Sequence, residues 1–195
     1  MSAGSGESVS GRPRDLRIDS AVLDAAAELL VDVGYRKLTM AAIADRAGTT
    51  KTALYRRWSG KAELVHDLAF ARMTRLPPSS GEVGADIRTM VGAARDLFAS
   101  PVTRAALPGL ISDMAADPEL AARVHAGFAE VFGALRDRLV IAVDRGEVHP
   151  DVYPDRLIEA VGGAAMLHAL LLDNRDFETA WADQLSAIVV HGVLR

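Results

Sequence analysis

The stretch from Thr39 to Leu64, TMAAIADRAGTTKTALYRRWSGKAEL, leaves the chain little freedom in how it folds. Thr39 is placed to cap a helix over about residues 40–47, with Met40, Ile43, Ala44 and Ala47 on one side at helical spacing. Ala44 is the small residue that two crossing helices need at closest approach. Gly48 turns the chain and Thr50 caps a second helix. In that helix Leu54 and, one turn later, Trp58 point inward, which leaves Lys51, Thr52, Tyr55 and Arg56 outside. Two short helices around a tight turn, with basic and hydroxyl groups collected on the second, are the layout of a helix-turn-helix that docks on duplex DNA.

The flanking sequence extends this unit. Val22, Ala25, Ala26, Leu29, Leu30 and Val33 follow Ile18 at spacings of three and four, so a helix is predicted over about residues 18–33, stopped by Gly34. Further helices are predicted over about 61–76, 83–100, 101–115, 118–145, 154–172 and 177–194. The break at Pro77-Pro78 and the start signal Asp117-Pro118-Glu119 are the sharpest of their boundaries. No convincing strand alternation occurs. The fold class is therefore all-α with about nine helices: an arm over residues 1–17, a three-helix helix-turn-helix domain over 18–60, and a helical body over 61–195.

Charge divides along the same line. From Tyr35 to Lys61 there are seven Lys or Arg against the single acid Asp45, whereas residues 62–195 hold twelve basic and nineteen acidic side chains. A small basic module on an acidic body suits one anionic partner better than the formal net charge of −4 suggests. A solvated basic rim on an ordinary bundle is the competing explanation, and the near absence of acids in the window argues against it. Arg12, Arg14 and Arg17 in the arm suit either phosphate tracking or a solvated tail. The arm lacks an apolar core, so neither a signal peptide nor a membrane anchor is expected, and no apolar segment is long enough to span a bilayer. The absence of cysteine excludes disulfides and thiolate chemistry and is compatible with the reducing cytoplasm.

The order Gly34-Tyr35, Leu38-Thr39-Met40, Ile43-Ala44, Ala47-Gly48, Thr50-Lys51, Leu54-Tyr55 and Trp58 to Lys61 resembles the DNA-binding domain of the tetracycline-repressor family of bacterial transcription regulators. The resemblance covers residues 18–68 and implies that Thr39, Thr50, Tyr55 and Lys61 position the DNA backbone while Lys51, Thr52 and Ala53 face bases. Arg56 and Arg57 cannot share one direction. One of them, assigned here as Arg56, meets phosphate and the other stays near the protein surface. The family pattern has Pro-Ser before the lysine where this chain has Ser59-Gly60, so the fourth helix must be capped by Gly60 unaided or by a shifted Ser59.

For the body, the same resemblance implies an apolar effector pocket among the middle helices, with Phe98, Leu107, Leu110, Met114, Phe128, Phe132 and His168 as candidates. Taken singly each reads first as ordinary core, and His168 as a core or interface histidine; it is as a group that they suit a pocket. It also implies a homodimer formed by the last two helices through Leu157, Val161, Ala165, His168, Trp181, Leu185, Ile188 and Val189, with Gly162-Gly163 permitting close approach. Double-stranded DNA and an unidentified small molecule are the other partners expected. Neither a cofactor nor a metal is implied.

His66, His125, His149, His168 and His191 have no metal-ligand spacing. Asp113, Asp117 and Glu119 read as caps and surface charge rather than an acid–base pair. There is no phosphate loop and no nucleophile elbow, so an enzyme is disfavoured. A helical adaptor acting through its apolar C-terminal helices is the remaining alternative. It predicts weak DNA binding without sequence preference.

Overall fold

A computed structural model describes residues 16–70, 78–172 and 179–194, and its helices follow the capping signals closely. Helix α1 spans Leu16–Lys37, α2 Met40–Arg46, α3 Lys51–Tyr55 and α4 Lys61–Phe70. In the body α5 spans Val83–Ala99, α6 Pro101–Ala116, α7 Pro118–Asp144, α8 Pro154–Leu171 and α9 Thr179–Val193. The only β-type pairing among the described residues is an isolated antiparallel bridge between Val148 and Leu194, which ties the turn after α7 to the end of α9. The expected arm up to residue 15, the continuation of the fourth helix over 71–76, the spacer Asp173–Asp176 and Phe177 lie outside the described residues.

Helix α1 starts earlier and runs longer than its apolar spacing predicts. Gly34 does interrupt it, at φ 75° and ψ 165°, a conformation that glycine adopts without the steric cost of a Cβ. Tyr35 to Lys37 then form one more turn that aims the chain at α2. Thr39 Oγ1 accepts the amide of Ala42 at 3.1 Å and Thr50 Oγ1 that of Ala53 at 3.2 Å, so both expected caps are in place.

Neither solution foreseen at Ser59-Gly60 is used in isolation. Gly60 occupies the cap position, its carbonyl accepting the amide of Leu64, while the Glu63 carboxylate takes the Ser59 amide at 2.7 Å and the Ser59 hydroxyl at 2.6 Å. Glutamate in the first turn thereby reaches back as it would in a capping box. Asp117 caps α7 through the amides of Glu119 and Leu120 at 2.9 and 3.0 Å.

Two apolar clusters organise the molecule. One unites Leu30, Leu38, Ile43, Leu54, Trp58, Leu64 and Val65 of the first four helices and their connections with Ala106, Leu107 and Leu110 of α6. The other joins Ile87 and Val91 of α5 to Leu139 of α7, Leu157 and Val161 of α8, and Val190 and Val193 of α9. The reading head therefore does not close its core alone. Helix α6 belongs to it, and the buried Thr103 hydroxyl donates to the Ala69 carbonyl of α4 at 3.4 Å.

A candidate nucleic-acid interface and the cavity behind it

Helix α3 is one and a half turns long, too short to be stable without its anchors. Leu54 and Trp58 supply them at 1% and 6% exposure, each such burial contributing roughly 1.5–3 kcal/mol. With that side fixed, helical geometry presents Lys51, Thr52, Tyr55 and Arg56 to solvent over one continuous sector, and Ala53 sits half-buried at its edge. The Thr39 and Thr50 hydroxyl oxygens accept helix amides, which leaves each O–H able to donate to a phosphate oxygen.

The basic residues separate into two groups. Arg57 forms an ion pair with Asp19 of α1 and donates to the Ala53 carbonyl at 3.4 Å, and Arg46 pairs with Glu28 at 2.9 Å. Among the described residues, Arg36, Lys37, Lys51 and Arg56 are exposed and make no ion pair. Of the two adjacent arginines, then, Arg56 faces outward. Arg36 and Lys37, part of the basic window, stand just before the α2 cap and extend the exposed basic surface beyond the residues expected from the sequence.

Lys61 is turned away from the position expected of it. Its Nζ donates to the Tyr35 carbonyl at 3.0 Å and lies 4.1 Å from the Tyr35 ring centroid, a cation–π arrangement that holds the start of α4 against the end of α1. The Tyr35 hydroxyl in turn donates to Asp113 Oδ2 at 2.5 Å. Burial, then the hydrogen bond and charge of Asp113, push the phenol far above its ordinary pKa, so it stays protonated. Asp113 is thus a tertiary contact rather than surface charge.

A second link runs along α4. Trp58 Nε1 donates to Asp67 Oδ2 at 2.9 Å, and Asp67 Oδ1 lies 3.3 Å from His66 Nδ1. Burial opposes ionisation of Asp67, but the bonds from His66 and Trp58 and the His66 charge outweigh it and hold this carboxyl below the usual range. The His66 ring packs on Phe70 and Phe128, and Phe128 stacks on Phe132.

Those phenylalanines line a cavity of about 550 Å³ bordered by α4 to α8. Phe98, Leu107, Leu110, Met114, Phe128 and Phe132 all border it, joined by Phe70 of α4, Met90 of α5 and Ile158 of α8. The pocket is therefore open rather than packed shut. Its polar groups are few, among them Thr89, His125, Asp86 and Arg138, and the last two also border a smaller space of about 250 Å³ between α5 and α7. His168 lies outside this lining, buried against Trp181 with ring centroids 5.5 Å apart. Its neighbours Leu and Ala suggested a pocket, but its helical phase faces α9.

The residues expected at the dimer face lie mostly inside the chain. Leu157, Val161, Ala165 and His168 are 0–8% exposed within the chain's own core, and Trp181, Leu185 and Val189 are partly buried there. They face α5, α7 and one another. Ile188 alone of that set is strongly exposed, at 71%, and Leu167 and Leu171 of α8 are exposed as well. Gly163 is exposed too, and a Cβ there would meet no heavy atom within 4 Å. Among the described residues no group of His, Asp and Glu could hold a metal ion, and no helix is long and apolar enough to cross a membrane.

Comparison with known proteins agrees with this geometry. The model of a domain described as tetracyclin repressor-like, C-terminal, matches residues 77–189, and that of the bacterial regulatory proteins of the tetR family matches residues 22–68. The chain is 35% identical over 165 residues, 78% of its length and 82% of the relative's, to the DNA-binding transcriptional repressor TetR of Mycobacteroides abscessus. It is 40% identical over 85 residues to the HTH-type transcriptional regulator YdeS of Bacillus subtilis, a match spanning 43% of either chain. The structure of Salmonella enterica GusR superposes with a TM-score of 0.66 over 94% of this chain and 98% of that one at 15% identity, a likeness of fold.

Proposed function

Because the chain belongs to the tetracycline-repressor family of bacterial transcription regulators, we propose that it acts as a homodimer that binds a palindromic operator and leaves it when a small, largely apolar molecule fills the cavity. Members of this family are DNA-binding proteins, not enzymes. The observation that carries the reading is the division of labour on α3: Leu54 and Trp58 are locked inward while Lys51, Thr52, Tyr55 and Arg56 stand exposed behind a threonine cap.

In this reading the N-terminal end of α3 enters the major groove. Lys51 and Thr52 reach base edges, Ala53 offers its methyl to a thymine, and Tyr55, Arg56 and the Thr39 and Thr50 hydroxyls fix the register on phosphates. Arg36 and Lys37 add phosphate contacts beside α2. One head is too small to select a site, and two on a two-fold axis read successive grooves. The outer surface of α8 and α9, with Leu167, Leu171 and Ile188, joins the two copies. Release requires a ligand that prefers a body conformation incompatible with that spacing. Repression is the expected sign, as the M. abscessus relative's name states for that protein.

The test is selection of bound fragments from a random duplex library, followed by titration of the enriched fragment at two salt concentrations. A palindrome whose binding is salt-sensitive and is lost on Tyr55→Ala supports the reading. Equal, unselective binding by wild type and variant would sink it in favour of a helical adaptor.

A further inference from the structure

Three helices meet on Tyr35. It closes α1 at 6% exposure, its hydroxyl is bonded to Asp113 of α6, and its carbonyl and ring hold Lys61 at the start of α4. The ring lies over Gly109 of α6, where a Cβ would fall less than 3.0 Å from Cγ, Cδ1 and Cε1. Only glycine fits under this ring. The residue before it, Pro108, brings no amide to the helical ladder, so α6 is least braced at the point where Tyr35 touches it.

The opposite side of α6 faces the cavity through Leu107, Leu110 and Met114. Gly109 and Asp113, four residues apart, share the face toward Tyr35. One helix thus has the cavity on one flank and the end of α1 on the other. From Tyr35 the backbone passes through Arg36, Lys37 and Leu38 directly into Thr39, the α2 cap, and Lys61 ties the first turn of α4 to the same residue.

We propose that Tyr35 is the joint through which α6 sets the position of the reading head relative to the body. The inference rests on the regulator reading above and adds a route to it that is separate from the Trp58, Asp67 and His66 contacts along α4. Displacing the ring shifts the starts of α2 and α4 together. Each head stays folded, since Leu38, Ile43, Leu54 and Trp58 are untouched, but its placement relative to the second head changes. Tyr35 is in this sense a positioning residue that need not touch DNA.

Gly109→Ala tests the joint without any ligand, because the added methyl forces ring and helix apart. Gly92→Ala in α5 is the matched control, its Cβ meeting no heavy atom within 4 Å, and both replacements favour helix formation. The operator enriched by selection and an isolated half-site are titrated separately. Gly109→Ala is expected to bind the full palindrome about tenfold more weakly or worse while keeping wild-type affinity for the half-site, as displaced heads would do. Gly92→Ala is expected to match wild type on both.

Wild-type binding of the palindrome by Gly109→Ala, or equal loss on both fragments, would overturn the proposal. Should Gly109→Ala fail to fold by circular dichroism, Tyr35→Phe and Asp113→Ala carry the test. Each is expected to weaken the palindrome selectively by about threefold, and the pair no more than either alone, because they remove one contact. Additive effects, or none, overturn it. Failure of the regulator reading is a separate result, seen when wild type enriches no operator at all.

Discussion

Arg56 and Arg57 are chemically identical neighbours with different surroundings. Arg57 is held by Asp19 and by the Ala53 carbonyl, with four-fifths of its side chain covered, whereas Arg56 is exposed beside Tyr55. Replacing Arg56 by Ala should weaken operator binding across sequences and reduce the slope of log affinity against log salt by about 1, the signature of one lost phosphate contact. Replacing Arg57 by Ala should leave that slope unchanged and lower the unfolding free energy by about 1–2 kcal/mol, since a partly covered Asp19 loses its partner. Salt titrations and urea unfolding of the two variants separate these outcomes. Helical phase puts Arg56 outside in the sequence, but the partner that holds Arg57 was not readable, because Asp19 lies on another helix. Lys61 was unreadable for the same reason: the carbonyl it bonds belongs to Tyr35.

Helix α4 shows what an element adds beyond its residues. Its first turn is fixed by Glu63 on Ser59, its middle by Asp67 on Trp58, and its last described turn borders the cavity through Phe70. The Asp67 carboxyl has its pKa lowered in the folded chain from an ordinary 3.8, so its contribution is fully present above that value and is lost as pH falls through the lower folded value. Trp58 should therefore have its indole bond weakened only in acid below that ordinary 3.8, read as a change in its fluorescence that Asp67→Asn abolishes. The variant itself should cost about 1 kcal/mol at neutral pH. The cap of α4 was legible only as a departure from a pattern. Ser59-Gly60 named the position, and Glu63 supplied the group that solves it. Caps at Thr39, Thr50 and Asp117 were fully legible because each bonds amides within three residues.

At the scale of the whole molecule, fold class and helix order were readable because periodicity and caps are local signals, while the family resemblance named six of the residues that border the cavity. Which apolar face of a helix turns inward is not local, and α8 shows the consequence. Leu157, Val161 and Ala165 alternate along it with Gly163, Leu167 and Leu171, so two apolar faces are present and only the packing of α5 and α7 decides between them. A stable dimer needs about 800 Å² from each partner, which side chains already buried inside the chain cannot supply. The two faces predict opposite outcomes. Leu167→Asp combined with Ile188→Asp should give a folded monomer by sedimentation, with unchanged helix content, that binds a half-site but has lost the affinity two linked heads provide on a palindrome. Leu157→Asp should destabilise the chain instead, by about 3 kcal/mol or more, since it places a carboxylate in the cluster of Ile87, Leu139 and Val161. If the outer pair leaves the protein dimeric and Leu157→Asp yields a well-folded monomer, the inner face is the interface after all.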